Sequence, residues 1–307
     1  MSEKSILNRE SSGVYGWDPT WFDLPPDTWG FELEDAIADF QDEWSIPIDG
    51  VCGDITFRRL QLMRDQFLDL NLDEPEDAGE SIIVDGEHLP IKWDRVLTYD
   101  DQGGLRVTKG FSDKPRTGKG CVVHWPVTYT PQQTVSVLNK RGYGTHFEIG
   151  PPIGPAGDVT IYQYVDASMQ TWHAVGANHM VGIDITSPVY AKPKILSKLE
   201  ALGHTERPIL SGYRVNGWKT PAIVGYHENQ LKALYALLGA LHVHCGIVLK
   251  APAHTGDPMD IRSLTSKRSI RNGVFHHAEV DVARRGKWDT VGVDLKDAVN
   301  AANDFLV

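Results

Sequence analysis

The segment GVFHHAEVDVARRGKWD, residues 273–289, places His277, Lys287 and Asp289 within thirteen positions. An imidazole and a carboxylate are both good zinc ligands, and a loop between them lets each approach an ion from its own side. A catalytic zinc takes three protein ligands and keeps one position open, so a third donor has to come from a distant part of the chain. The candidate is His124 in GCVVHWPVT, at the end of a short apolar run that reads as a buried strand.

The elements that must bring these donors together belong to a chain with the bulk properties of a packed, soluble protein. It has 307 residues, of which 41% are hydrophobic, enough for one large domain or for two. A formal net charge of −11 argues against a nucleic-acid partner and against charge-driven docking on an anionic membrane. Cys52, Cys121 and Cys245 are odd in number and lack metal-type spacing, so three free thiols in a reducing compartment are expected. The opening MSEKSILNRESSG has no apolar h-region, and no stretch approaches the ~20 apolar residues of a membrane span. Neither a signal peptide nor a membrane segment is therefore expected.

Taken in order, residues 1–27 are polar, then aromatic and proline-rich, which suggests an irregular arm. From 28 to 72 the pattern is helical, with Leu33, Ile37 and Phe40 on one face, a tight loop at Asp49-Gly50, and a second helix from Ile55. Acidic residues with proline and glycine mark a linker at 73–81. Residues 82–117 alternate in polarity and break at Asp85-Gly86 and Gly103-Gly104, which reads as two hairpin-like strand pairs. The rest, 118–307, alternates strands (121–124, 145–149, 159–165, 181–186) with helices (130–140 and the strongly apolar 227–245) around a proline-containing insertion at 188–225. The expected class is α/β, a mixed central sheet flanked by helices, preceded by a small all-α unit.

Two resemblances follow from these blocks. AIADFQDEWSIPIDGVCGDITFRRL, residues 36–60, resembles the second half of the helical peptidoglycan-binding module: Phe40-Gln41, Asp49-Gly50, Gly53, Thr56 and Leu60 match its pattern. Further on, CVVHWPVT, GTHFEIG, IYQYV, TWHAVGANHMVGID and FHHAEVDVARRGKWD resemble, in that order, the zinc-dependent N-acetylmuramoyl-L-alanine amidases, the superfamily of phage lysozyme-type amidases and peptidoglycan recognition proteins. The resemblance covers roughly residues 118–300.

That resemblance implies a Zn2+ site made of His124, His277 and Asp289, with His277 chosen over His276 because Ala278, Glu279 and Val280 complete the motif. It implies Lys287 as the stabiliser of developing negative charge and Asp184, in VGIDIT, as general base; Thr145 stands where part of the family has a tyrosine. Trp172, His173 and Asn178 fall where the family lines its substrate cleft. His146 is expected to pack in the sheet, His242 and His244 to be structural, and Arg284-Arg285 to be a solvated loop. The activity implied is cleavage of the amide between N-acetylmuramic acid and L-alanine in peptidoglycan by a zinc-activated water, in a monomeric modular phage endolysin that waits in the host cytoplasm until the membrane is breached. A non-catalytic peptidoglycan-binding protein on the same fold is the alternative.

Overall fold

The computed structural model describes residues 2–43, 46–65, 79–252, 259–264, 272–280 and 287–307. Backbone contacts divide the chain into two compact units, Met1–Asn71 and Leu72–Val307.

Among the described residues the first unit has three α-helices, α1 (Glu3–Tyr15), α2 (Phe31–Glu43) and α3 (Asp54–Asp65). The irregular arm expected over residues 1–27 is thus corrected: its first half is a 13-residue helix, capped by the Ser2 hydroxyl on the Ser5 N–H and ended by Gly16 at φ 74°. Helix α1 escapes a reading of hydrophobic pattern because its polarity is inverted. Ser5 and Asn8 are 3% and 0% exposed, whereas Val14 is 75% exposed. Asn8 compensates for its own burial by donating to the Gly50 carbonyl oxygen (3.0 Å) and accepting from the Cys52 N–H (2.8 Å), which fastens α1 to the loop between α2 and α3. Trp17, Leu33, Ile37, Cys52, Phe57 and Leu60 form the core beneath.

The second unit opens with the strands β1 (Ser81–Val84), β2 (Glu87–Pro90), β3 (Val96–Leu97) and β4 (Phe111–Pro115). Then come β5 (Lys119–His124), α4 (Pro131–Arg141), β6 (Phe147–Ile149), β7 (Ile161–Gln163), β8 (Met169–Thr171) and β9 (Val181–Ile185). The inserted segment holds α5 (Pro193–Ala201) and the short strands β10 (Ile209–Leu210), β11 (Arg214–Val215), β12 (Trp218–Lys219) and β13 (Ile223–Val224). The chain closes with α6 (Glu228–Cys245), β14 (Asp260–Ile261), β15 (Asn272–His276), α7 (His277–Val280) and α8 (Leu295–Ala301).

A six-stranded sheet, in the order β15-β5-β9-β6-β7-β3, organises this unit. Strands β15, β5, β9 and β6 run parallel, β7 is antiparallel to β6, and β3 runs parallel to β7. The class is the expected one, a mixed central sheet with helices. Strands β5 and β9 are buried along nearly their whole length, which is why their sequences are near-continuous apolar runs rather than alternating ones. Helix α6 starts with a capping box between His227 and Gln230, and its apolar residues sit in the core.

Of the two hairpins expected in 82–117, the first forms: β1 and β2 pair across Asp85 and Gly86, both at positive φ. The second does not. Strand β3 pairs with β7, and β4 pairs with β8, so Gly103-Gly104 joins no hairpin. Gly104 is instead pressed beneath the turn that starts at Thr98, where an added Cβ would stand 2.2 Å from the Thr98 oxygen. The glycine answers a close approach, and the sequence alone does not distinguish that from a turn.

Most of the linker expected at 73–81 lies outside the described residues, as do Arg284 and Arg285. Its last residues are tied to the sheet, since Gly79 exchanges two hydrogen bonds with Val96 at 2.7 and 2.8 Å. The three cysteines are free, and burial pushes the thiols of Cys52 and Cys121 up to about 12. Among the described residues no helix is long and apolar enough to cross a membrane.

Candidate metal centre

The carboxyl ends of the parallel strands are where open α/β sheets place ligands, and three of the expected residues meet there. His124 ends β5, and Asp184 on β9 is its register partner. Because His276 on β15 is level with Val123 on β5, the next residue, His277, follows the strand end beside His124. Asp289 arrives from the following loop: its carbonyl oxygen accepts the Ala278 N–H at 2.9 Å.

His124, His277 and Asp289 offer ligand atoms that all lie within 4.8 Å of one another. His124 Nδ1 and His277 Nδ1 are 2.9 Å apart, and Asp289 Oδ2 is 2.8 Å from His277 Nδ1 and 3.6 Å from His124 Nδ1. Bonds of about 2.0–2.2 Å to a tetrahedral ion would set ligand atoms roughly 3.3–3.6 Å apart. The cluster spans that spacing, slightly contracted.

The hydrogen-bond chain behind His124 fixes which nitrogen is free to bind. The Met180 carbonyl oxygen can only accept, so His173 Nε2, 3.1 Å away, carries the proton. His173 Nδ1 is then an acceptor, and His124 Nε2 donates to it at 2.8 Å. A neutral His124 therefore presents the Nδ1 lone pair to the cluster. Burial, with the neighbouring His277, lowers the His124 pKa to about 4 and keeps it in that neutral form. Burial acts to raise the pKa of Asp289, but His277 and His124 outweigh it and hold the carboxyl well below its usual range. The Nδ1 lone pair of His124, the Nδ1 of His277 and the Asp289 carboxylate thus converge on one point. The donor set suits a divalent ion such as zinc.

His276 points elsewhere: it is buried, and its Nδ1 pairs with the Thr290 hydroxyl at 2.9 Å. Lys287 is exposed, and its charge reaches His124. Asp184 is buried, and its carboxyl is raised well above its ordinary range by burial and by the nearby carboxyls of Glu148 and Asp289. Among the expected cleft residues, His173 is half-buried as the support of His124, and Asn178 accepts the Ala174 N–H at 3.2 Å within its loop. Trp172 is exposed. His146 packs in the sheet, where its Nε2 donates to the Met169 oxygen (2.9 Å) and its Nδ1 accepts the Gly182 N–H (2.9 Å). His242 and His244 bond the carbonyl oxygens of Ile247 and Pro90, away from the cluster.

Two features lay outside the sequence reading. One is the role of His173, which needs a long-range approach that no local spacing encodes. Gly182 makes room for it, since a Cβ there would stand 2.8 Å from the imidazole. The other is Glu148, level with Asp184 on β6, whose buried carboxylate accepts from Tyr164 (2.6 Å), Thr134 (3.0 Å) and Thr186.

No family model matches the chain, and no curated protein matches it. Among solved structures it is similar to the crystal structure of AmpDH3 from Pseudomonas aeruginosa in complex with anhydromuramic pentapeptide, with 17% identity and a TM-score of 0.36 over 66% of this chain and 65% of that one. The chain therefore spans just under two thirds of that protein's length.

Proposed function

We propose that this chain is a metal-dependent peptidoglycan amidase that cleaves the bond between the lactyl group of N-acetylmuramic acid and L-alanine, acting as a phage endolysin. The convergence of His124, His277 and Asp289, 153 positions apart at the widest hydrogen-bonded pair, carries this reading. His124, His277 and Asp289 would hold the ion. Zinc there would act as a Lewis acid toward the scissile carbonyl and bring the pKa of a water toward about 7.

The other groups have roles that follow from position. Asp184, level with His124 near the end of the neighbouring strand, is the proton acceptor. Lys287 supplies a compact positive charge for the developing oxyanion. His173 is a positioning residue that holds the His124 ring and its tautomer. Trp172 and Asn178 are assigned to the substrate cleft on the resemblance described above. The presence of Asp289 as third ligand favours the enzyme over a wall-binding protein without activity. The helical first unit would bind the wall, and the protein would wait in the host cytoplasm until lysis.

The test is mass spectrometry of digested peptidoglycan with and without a chelator. New muramic lactyl carboxyls and peptides beginning with L-alanine, both lost with the chelator, are the expected products. Reducing sugar ends, or products indifferent to the chelator, would rule the reading out.

A further inference from the structure

The inserted segment brings an aromatic side chain to a ring cluster that borders the metal ligands. Trp218 opens β12, just past a turn whose Asn216 and Gly217 have φ 54° and 83°. Its indole stands 5.8 Å from that of Trp288 at an interplanar angle of 74°. Trp288 also meets Trp125 (5.1 Å, 82°) and Tyr190 (5.8 Å, 61°). Two of these rings sit on ligand-bearing backbone: Trp125 directly follows His124, and Trp288 directly precedes Asp289.

The four rings grade from core to surface. Trp125 and Tyr190 are buried, Trp288 is half-buried, and Trp218 is 54% exposed. The exposed ring is not on a slack loop. Asn216 donates to the Ser263 hydroxyl (2.9 Å) and accepts the Ser263 N–H (3.0 Å), the Gly217 N–H donates to Asp260 (3.2 Å), and β11 pairs in parallel with β14. Edge-on contact with Trp288 restrains the indole while much of it stays in water. A restrained apolar surface binds with little ordering cost. Arg262, whose guanidinium pairs with Asp260, lies beside this turn, its Nη1 3.7 Å from where a Cβ on Gly217 would stand.

A restrained, half-exposed indole suits a ligand with an apolar face, which describes a pyranose ring: its axial C–H groups stack on the aromatic face while its hydroxyl rim stays in water. We propose that Trp218, backed by Trp288, is a saccharide subsite beside the metal centre and stacks on an N-acetylated sugar of a glycan strand. The choice of sugar rests on the peptidoglycan reading above. The inserted segment then supplies glycan recognition to a centre whose ligands lie outside it.

The test uses the full chain and N-acetylchitotetraose, which carries the sugar and no peptide. Saturable protection of Trp218 from oxidation, followed by peptide mass spectrometry, is expected in the unmodified chain, and titration calorimetry with the same tetrasaccharide should show affinity about tenfold weaker in Trp218→Ala and largely restored in Trp218→Tyr. Following Trp218 itself separates this subsite from sugar bound at Trp17, Trp21 or Trp29 in the first unit. Oxidation of Trp218 that is indifferent to the tetrasaccharide, or equal affinity of the alanine variant, would overturn the proposal. Peptidoglycan left uncut by a chain that does protect Trp218 would sink the amidase reading and leave the subsite standing.

Discussion

His173 Nδ1 accepts from His124 Nε2 at 2.8 Å, and through that bond a carbonyl oxygen at Met180 decides which nitrogen of His124 faces His277. His173→Phe keeps the ring volume and deletes both nitrogens. Outer-shell partners of this kind are worth about 10–100-fold in metal affinity. Competition against a chelator of known affinity should show a loss of that size, with hydrolysis restored at saturating zinc. Unchanged affinity would mean that packing alone orients His124.

Asp184→Asn preserves the shape of the carboxyl and removes its ability to accept a proton. Hydrolysis of muropeptides should fall about 10²–10⁴-fold, the range of general acid–base assistance. Metal content should stay at the wild-type level, because Asp184 is outside the ligand group. A variant with full activity would move the base to another residue.

The architecture was legible where burial on both faces forces an uninterrupted apolar run, as in Cys121 to Val123 and Val181 to Ile183. The ends of α4 and α6 were legible because Thr130 and His227 satisfy free N–H groups locally. What escaped were features in which distant packing overrides local pattern. Helix α1 turns Ser5 and Asn8 inward because its partners are the side chain of Glu34 and the backbone at Gly50 and Cys52, 29 to 44 positions away. Gly103-Gly104 carries the same letters as a hairpin turn and serves a different constraint. At the centre itself, residue types and strand ends pointed to the three ligands through the resemblance, whereas His173 was assigned to the cleft because hydrogen bonding between two histidines 49 positions apart leaves no local trace.

Glu148 makes stability depend on pH. Burial pushes its pKa up to about 7 from the ordinary 4.5, even though three hydroxyls donate to it. Between those two values the folded chain binds more protons at this site than the unfolded chain, so this contribution to stability falls as pH rises from about 4.5 to 7 and is flat above. The span corresponds to a loss on the order of 3 kcal/mol. Glu148→Gln should remove that slope, which chemical denaturation across the range would measure. A variant with the wild-type slope would show that another group titrates.

Gln41 is the hydrogen-bonding hub of the first unit and joins the residues that matched the helical wall-binding pattern. Its amide nitrogen lies 2.7 Å from Asp49 Oδ1 and 2.9 Å from both the Val51 oxygen and the Thr56 hydroxyl, while its oxygen accepts the N–H groups of Asp49 (2.9 Å) and Gly50 (2.8 Å). Gln41→Leu keeps an apolar volume at a site 1% exposed and leaves the buried Thr56 hydroxyl and Gly50 N–H without this partner, away from water. Each buried group left unpaired costs about 1–3 kcal/mol, so a loss of roughly 3 kcal/mol is expected. Hydrogen exchange of the α2 and α3 amides should then speed up by about a hundredfold, if their protection reports opening of this unit. Exchange at the wild-type rate would mean that the loop at Asp49-Gly50 is held by Asn8 alone.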